Sequence, residues 1–169
     1  MTAESKTPVA TAQRGRWPLL IGVATAVLAA DQLTKWWAVE TLDTRTIDIV
    51  WTLRLNLVVN YGSAFSVARG RGALISLLAL AVVAVLLRSG RYATGSGTAV
   101  AIGLVAGGAL GNLIDRAFRA GDGFLGGGVV DFIDLQWWPV FNVADAAIVV
   151  GALLLFGTQW RQVDEEPGK

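Results

Sequence analysis

The hydrophobic and polar positions of the chain form long apolar runs separated by short polar segments. A bilayer span requires about 20 apolar residues, and four runs approach or reach that length with a few flanking residues. These runs cover approximately residues 17–39, 73–87, 99–116 and 139–156. The pattern predicts an all-α integral membrane protein with four transmembrane helices. Pro139 is predicted as the first residue of the fourth helix, because proline suits that position.

The first apolar run has two interpretations. A charged start, an apolar stretch over residues 17–30 and small residues at its end are typical of a cleavable signal peptide. However, the apolar character resumes after Asp31 and Gln32, and the run thereby reaches membrane length. We therefore predict a retained first helix, preceded by a disordered cytoplasmic lead over residues 1–16.

Between the first two runs the pattern changes to a period of two. Residues 47–55 alternate apolar and polar side chains, which is typical of short strands. This predicts a small extracytoplasmic β-sheet cradle within residues 41–72. The segment leads to Asn60 and Gly62, a turn that is a weak signal by itself. The membrane domain is predicted to cover residues 17–157, followed by a cytoplasmic tail over residues 158–169.

Glycines mark the third predicted helix. Gly103, Gly107 and Gly111 follow one another at four-residue spacing, and Gly108 lies beside them. Small residues on one face let membrane helices approach closely. The third helix is therefore predicted to be central to the bundle.

The composition restricts the possible partners and chemistry. Charged residues make up 16% and apolar residues 54% of the chain, whereas soluble domains carry about 25% charged residues. A net charge of +1 from dispersed basic residues argues against a nucleic-acid partner and leaves membrane lipids as the surroundings. The chain has no Cys and no His, which excludes thiol nucleophiles, His-based triads and Cys/His zinc sites. We expect no metal and no cofactor, with proton transfer left to carboxylates, Lys and Tyr.

The basic residues also predict an orientation. Lys and Arg are denser in the N-terminal segment, the 88–98 loop and the tail than in the other two loops. The positive-inside rule then places both termini in the cytoplasm. The end of the third helix, the start of the fourth and the connection between them, which contains the Trp137-Trp138 interface belt, all lie at the outer face.

Three aspartates fall in this outer region. A carboxylate at membrane depth costs about 2.5–3.5 kcal/mol, so it is kept mainly where it pairs, lines water or does chemistry. Asn112 precedes Asp115 by three residues, and Asn142 precedes Asp145 in the same way, which on a helix places each pair on one face. Asp131 lies in the connection, among apolar neighbours.

Two carboxylates that share one proton can activate a water molecule for hydrolysis. The protonated member needs apolar surroundings, whereas a neighbouring arginine lowers a carboxyl pKa. Asp131 has apolar neighbours and Asp115 is followed by Arg116. We therefore prefer Asp131 with Asp145 as the pair, and interpret Asp115 as an ion-pair or helix-end residue.

A further charged pair lies in the first helix. Asp31 and Lys35 are four residues apart and can pair on one helix face. A structural pair that anchors the helix end and a catalytic pair both remain open.

Taken together, five ordered motifs resemble the signature blocks of the lipoprotein signal peptidase (signal peptidase II) family. They are D-Q-L-T-K (31–35), N-Y-G-S-A-F (60–65), G-G-A-L-G-N-L-I-D-R (107–116), V-V-D-F-I (129–133) and F-N-V-A-D (141–145). The resemblance covers the chain apart from its two tails. One departure is the short connection between Asp131 and Asp145.

The resemblance implies an aspartic endopeptidase, expected to be monomeric, of the bacterial cytoplasmic membrane. It would cleave prolipoproteins on the N-terminal side of a cysteine that already carries a diacylglyceryl group. Its catalytic residues would be Asp131 and Asp145. The family positions that contact substrate or order this pair are Asn60, Asn112, Arg116 and Asn142, with Asp31 and Lys35 as a supporting pair. Gly62, Ala144 and Asp115 are further candidates for substrate binding or support.

Two other classes of protein are alternatives to the peptidase. A proton-coupled transporter also uses paired intramembrane aspartates. It would place them near the membrane midplane and usually carries an internal repeat, whereas these aspartates cluster at one face. A small structural membrane protein would leave three aspartates at that face without a role.

Overall fold

The computed structural model describes residues 16–62, 72–90, 95–121 and 123–164. Within these ranges the chain forms four helices and three strands. In chain order they are α1 (Trp17–Leu42), β1 (Ile47–Val50), β2 (Leu53–Asn60), α2 (Gly72–Gly90), α3 (Ser96–Phe118), β3 (Val129–Asp134) and α4 (Val143–Asp164). The ranges leave out residues 1–15 of the predicted N-terminal lead, the last three residues of the N-Y-G-S-A-F motif and the last five residues of the predicted tail.

The helices have the character of membrane spans. Of the helices in the described ranges, α1, α2 and α3 are long and apolar enough to cross a membrane, and the apolar part of α4, Val143–Thr158, is shorter. The surface of α2 exposes large apolar side chains, including Leu74, Leu78 and Val85. An exposed apolar surface of this extent is unfavourable in water and suits a lipid environment.

Helix α3 is central, as its glycines predicted. A Cβ atom at Gly107 would lie 2.6 Å from the carbonyl oxygen of Ala24 in α1, and one at Gly103 would lie 2.8 Å from that of Leu20. On another face, a Cβ at Gly108 would collide with the carbonyl oxygen of Ala144 in α4. The backbones of α1 and α4 therefore approach α3 at distances that only glycine allows.

This close approach predicts that Gly107→Ala destabilises the bundle. The added methyl group meets backbone atoms of α1, which cannot move aside as a flexible side chain could, so we expect a loss of about 1–3 kcal/mol in the free energy of unfolding. Gly22→Ala in α1 is the matched control, because a Cβ there has no neighbour within 4 Å. Thermal unfolding in detergent compares the two variants, and equal melting temperatures would contradict the packing argument.

The sheet is antiparallel, with strand order β1-β2-β3. The strands β1 and β2 were predicted from their alternation, but β3 was predicted only as a connection. The side chains of β3 are buried on both faces, so its sequence lacks the period-two pattern of a half-exposed strand. Val130 and Phe132 of β3 pack with Ala38 and Leu42 of α1, which fixes the sheet on the end of the bundle.

The predicted start of the fourth helix at Pro139 is wrong. Phe141 pairs with Ile133 as an isolated bridge, with an N–H···O distance of 2.8 Å from Ile133 to Phe141, so the chain is still extended there. Helix α4 begins at Val143 and continues to Asp164, beyond the predicted end near Phe156. Asp145 consequently lies in the first turn of the helix and not six residues along it.

A capping box explains this start. The backbone N–H of Asp145 donates to Asn142 Oδ1 at 3.0 Å, and the N–H of Asn142 donates back to Asp145 Oδ2 at 3.3 Å. These reciprocal bonds satisfy backbone donors that a helix start otherwise leaves unpaired. The two Asn-to-Asp spacings therefore have different structural causes: Asn142 caps a helix, whereas Asn112 and Asp115 lie within the last turns of α3.

Candidate active site

The predicted site residues converge at one end of the bundle. Asp131 lies in the middle of β3, and Asp145 lies in the first turn of α4. Asn60 ends β2, and Asn112 and Arg116 lie near the end of α3. These five residues line one cavity of about 270 Å³, whose remaining walls are apolar side chains and Ser76 from α2, α3, α4 and β3.

Asp131 is held by two asparagines. Asn60 Nδ2 donates to its Oδ2 at 3.1 Å, and Asn142 Nδ2 donates to its Oδ1 at 2.7 Å. The residue is only 2% exposed. The pKa of Asp131 is raised to about 6, mainly by burial and also by the nearby Asp145, although the two asparagine hydrogen bonds lower it. Near neutral pH this carboxyl group can both hold and release a proton.

Asp145 is connected to Asp131 through a pair of amides. Asn112 Nδ2 donates to Asp145 Oδ1 at 2.8 Å. Asn112 Oδ1 in turn accepts from Asn142 Nδ2 at 3.1 Å, and Asn142 also binds Asp131. Both oxygens of Asp145 accept hydrogen bonds, since the second receives the N–H of Asn142. The network fixes the orientation of both carboxyl groups that face the cavity.

Lys35 lies beneath this network and is fully buried. Its Nζ is 2.9 Å from Asp31 Oδ2, 3.1 Å from Asp115 Oδ2 and 2.9 Å from Asn112 Oδ1. The predicted Asp31–Lys35 pair is thus present. The ammonium group of Lys35 can only donate hydrogen bonds, so the side-chain oxygen of Asn112 faces Lys35. The NH₂ group of Asn112 therefore faces Asp145.

The remaining acidic residues brace the backbone. Asp31 Oδ1 accepts the N–H of Ala144 at 2.9 Å, which joins α1 to the start of α4. Asp115 Oδ2 accepts the N–H of Val130 at 3.0 Å, which joins α3 to β3.

Asp115 forms ion pairs, as predicted. Its partners are not Arg116, which follows it in the sequence, but two other basic residues. Lys35 is one partner, and Arg119 is the other, with its Nε 2.9 Å from Asp115 Oδ1 although not aligned for a hydrogen bond. Arg116 instead lines the cavity, and its Nη1 is buried with no hydrogen-bond partner among the residues that the structure describes.

Two further residues, Gly62 and Gln32, form hydrogen bonds with the site residues. Gly62 has φ of 91°, and its N–H donates to Asn60 Oδ1 at 2.9 Å, so the turn positions the asparagine that holds Asp131. Sequence reasoning missed Gln32, whose Nε2 contacts Asp31, Asp115 and the carbonyl oxygen of Gly111. Its position beside Asp31 in an apolar run was the available signal, because buried amides need partners.

The hydrogen bond from Asn60 leads to a pH prediction. This bond lowers the pKa of Asp131, so its loss in Asn60→Ala raises that pKa. If Asp131 acts as the protonated group, the alkaline limb of the pH profile of kcat/KM moves to higher pH. Asn56→Ala, on the same strand, is the control, since Asn56 bonds Thr46 and not Asp131. An unchanged alkaline limb in Asn60→Ala would contradict this assignment.

The fold and the site together define a class of protein. Apolar helices enclose a cavity lined by two oriented carboxyl groups, and the pKa of one of them, Asp131, is raised to about 6. A carboxyl pair of this kind is the chemistry of aspartic peptidases. The class is therefore that of an aspartic hydrolase built on membrane-type helices.

Comparisons with known proteins identify the family. Residues 23–161 match the family described as Signal peptidase (SPase) II. The chain is 49% identical over 139 residues to a lipoprotein signal peptidase of Rhodococcus jostii, covering 81% of this chain and 70% of that protein. It is 44% identical over 150 residues to a lipoprotein signal peptidase of Mycobacterium tuberculosis, covering 88% of this chain and 74% of that protein.

The fold comparison agrees. A solved bacterial membrane enzyme superposes with a TM-score of 0.77 at 26% identity, covering 90% of this chain and 93% of that one. The chain belongs to the signal peptidase II family, an aspartic peptidase family of membrane proteins, and it removes signal peptides from prolipoproteins. The alternative of a proton-coupled transporter has no support in these matches.

Proposed function

We propose that Asp131 and Asp145 are the catalytic residues of this peptidase and share one proton. Asp145, ionised, takes a proton from a water molecule whose oxygen attacks the scissile carbonyl carbon. Asp131, protonated, donates to the carbonyl oxygen as it becomes negative. When the tetrahedral intermediate collapses, the C–N bond breaks and the proton taken by Asp145 passes to the leaving amine nitrogen. The carbonyl re-forms as the proton that Asp131 donated returns to Asp131.

One observation carries this proposal: a single residue, Asn142, binds both aspartates. Its side chain donates to Asp131, and its backbone N–H donates to Asp145 at the start of α4. The raised pKa of Asp131 supports its role as the protonated member, because burial favours the neutral form of its carboxyl group. The free Nη1 of Arg116 and the amide of Asn60 lie on the same cavity and are proposed to contact the substrate backbone.

We further propose that the substrate carries a diacylglyceryl group on the cysteine that follows the scissile bond. The family membership supports this, and so does an apolar groove of about 450 Å³ that Asp145 shares with Trp137, Trp138, Val149 and Val150. An in vitro cleavage assay with and without prior diacylglyceryl transfer to that cysteine tests the requirement. Equal cleavage of the unmodified substrate would refute it.

The membrane placement is proposed as four spans with both termini in the cytoplasm. The strands and the site then lie near the outer face, with residues 41–72 as an extramembrane cradle, and a monomer is the working unit. The density of basic residues supports this orientation. Attaching a cytoplasmic reporter enzyme at each terminus tests it, and an inactive reporter at either end would overturn it.

Carboxylate chemistry also predicts the response to inhibitors. We expect EDTA and thiol-alkylating reagents to leave cleavage of a lipidated prolipoprotein unchanged. The chain has no Cys to alkylate, and without Cys or His it has no Cys/His zinc site from which EDTA could remove a metal. The measurement is turnover by the purified protein before and after each treatment. Loss of activity with EDTA, restored by a divalent metal, would contradict a purely carboxylate mechanism.

A further inference from the structure

An apolar surface covers the end of the sheet that lies farthest from Asn60. Ile49, Val50 and Trp51 follow one another at the tip of the β1–β2 hairpin, and all three side chains are exposed, Trp51 to 93%. Hairpin tips that face water usually carry polar or glycine residues. Consecutive exposed apolar residues at such a tip indicate a contact with something other than water.

The backbone of the turn does not explain the tryptophan. Trp51 has φ of 51°, in the left-handed region that glycine and asparagine adopt with least strain. A bulky side chain is unfavourable there, and at 93% exposure Trp51 gains little packing within the chain. Within the described residues, neither local conformation nor packing favours tryptophan at this position, so its partner lies outside that part of the chain.

A second aromatic segment lies beside the hairpin tip. Gln136 Nε2 donates to the carbonyl oxygen of Thr52 at 2.9 Å, directly next to Trp51. Trp137 and Trp138 follow Gln136 and are exposed. We call Ile49, Val50, Trp51, Trp137 and Trp138 the aromatic end of the sheet.

The aromatic end continues into the apolar surface of the helices. Trp137 and Trp138 line a groove with Val149 and Val150, which are exposed on α4. Trp36 and Trp37 lie near the end of α1 that leads into β1, and Trp37 contacts Phe132 of β3 edge to face. Tryptophan is enriched where a membrane protein crosses the headgroup region.

We propose that the aromatic end of the sheet docks into the headgroup–acyl boundary of the bilayer that the helices cross. The proposal rests on the proposed location of the sheet outside the spanning helices. β3 carries Asp131 at its middle and pairs with β2, so lipid contact at one end of the sheet sets the depth of this carboxyl group farther along the strand. The aromatic end of the sheet would therefore hold Asp131 at the depth of a scissile bond that lies at the membrane surface.

The absence of cysteine makes the depth of the tip measurable. We would prepare Trp51→Cys and, as a matched control on the same hairpin, Asp48→Cys, whose native side chain is exposed. Each is labelled with a nitroxide and reconstituted in vesicles of phosphatidylcholine and phosphatidylglycerol. Collisions with oxygen and with a water-soluble nickel complex then report depth. We expect the label at position 51 to lie about 5–10 Å into the headgroup–acyl boundary and the label at position 48 to lie in water.

Three results would overturn the proposal. Equal nickel accessibility at positions 51 and 48 means that the tip is in water. Spin–spin broadening at position 51 that disappears on dilution with unlabelled protein means that a second copy covers it. Protection that appears only when lipidated prolipoprotein is added means that the substrate covers it. Val50→Cys repeats the measurement if Trp51→Cys does not fold.

These readouts do not depend on catalysis. If the depth result fails while Asp131→Asn and Asp145→Asn remain inactive, the docking proposal is wrong and the proposed dyad stands. If those variants are active while the label is buried in lipid, the reverse holds.

Discussion

Asp131→Asn and Asp145→Asn are each expected to abolish cleavage of a lipidated prolipoprotein, with turnover lower by at least about 10³-fold, since positioned acid–base groups contribute about 10²–10⁴-fold each. An amide has nearly the shape of a carboxyl group but neither accepts nor supplies the shared proton. The protein should still fold and insert, because the amide keeps nearly the same volume and one of the two acceptor oxygens that the asparagine partners bind. Single-turnover cleavage by purified, reconstituted protein measures the loss.

A control on the same strand separates the proton chemistry from general effects. Asp134 lies three residues after Asp131, and its Oδ2 is 2.7 Å from Arg54 Nε, away from the cavity. Asp134→Asn should therefore retain most of the activity, and Asp115→Asn, which removes a bracing charge, should lose part of it. Substantial turnover in Asp131→Asn or Asp145→Asn would show that the proposed pair is wrong.

Lys35→Met is expected to have the largest effect on stability. The side chains of Lys35, Asp31 and Asp115 are at most 1% exposed, and the lysine is within 3.1 Å of both carboxylates. Removing it leaves two buried acidic groups without their shared cation, and breaking a buried pair in this way costs about 3–5 kcal/mol. Stable folds have only about 5–15 kcal/mol in total, so we expect a large fall in melting temperature and yield.

Arg119→Met provides the comparison, because it removes a second cation from the same aspartate. The Arg119 side chain is 31% exposed, so water screens its charge and we expect a loss of about 1 kcal/mol or less. Chemical denaturation in detergent compares both variants with the native protein. Similar losses in the two would mean that burial does not decide the strength of these pairs.

Lys35→Met also tests the orientation of Asn112. Without the ammonium group, Asn112 can turn its amide around, and its NH₂ group no longer has to face Asp145. Variant protein that remains folded should therefore have lower kcat as well as lower stability. A folded variant with native kcat would limit Lys35 to a structural role.

Much of the fold could be predicted from local pattern. The apolar runs predicted the helices, the alternation over residues 47–55 predicted two strands, and the four-residue glycine spacing predicted the central position of α3. Each of these signals lies within one segment. Such a signal can be read without knowing what the segment packs against.

The missed features depend on contacts between distant segments. β3 is buried on both faces, so nothing in its own pattern separates a strand from a connection. Its neighbour β2 lies 71 residues away at the Asn60–Asp131 hydrogen bond. The start of α4 was misplaced because the bridge between Ile133 and Phe141 keeps the chain extended after Pro139.

The sequence by itself determined the kind of chemistry available. Without Cys or His, and with acidic residues inside apolar segments, carboxylates were the candidates for proton transfer whatever the fold. Only the tertiary structure decided which partners surround each aspartate. Lys35 neutralises Asp31 and Asp115, whereas Asp131 and Asp145 face the cavity with amide partners. The physical reason is that a carboxyl group takes its properties from the charges and donors around it, and here helix packing and strand register bring those groups from segments far apart in the chain.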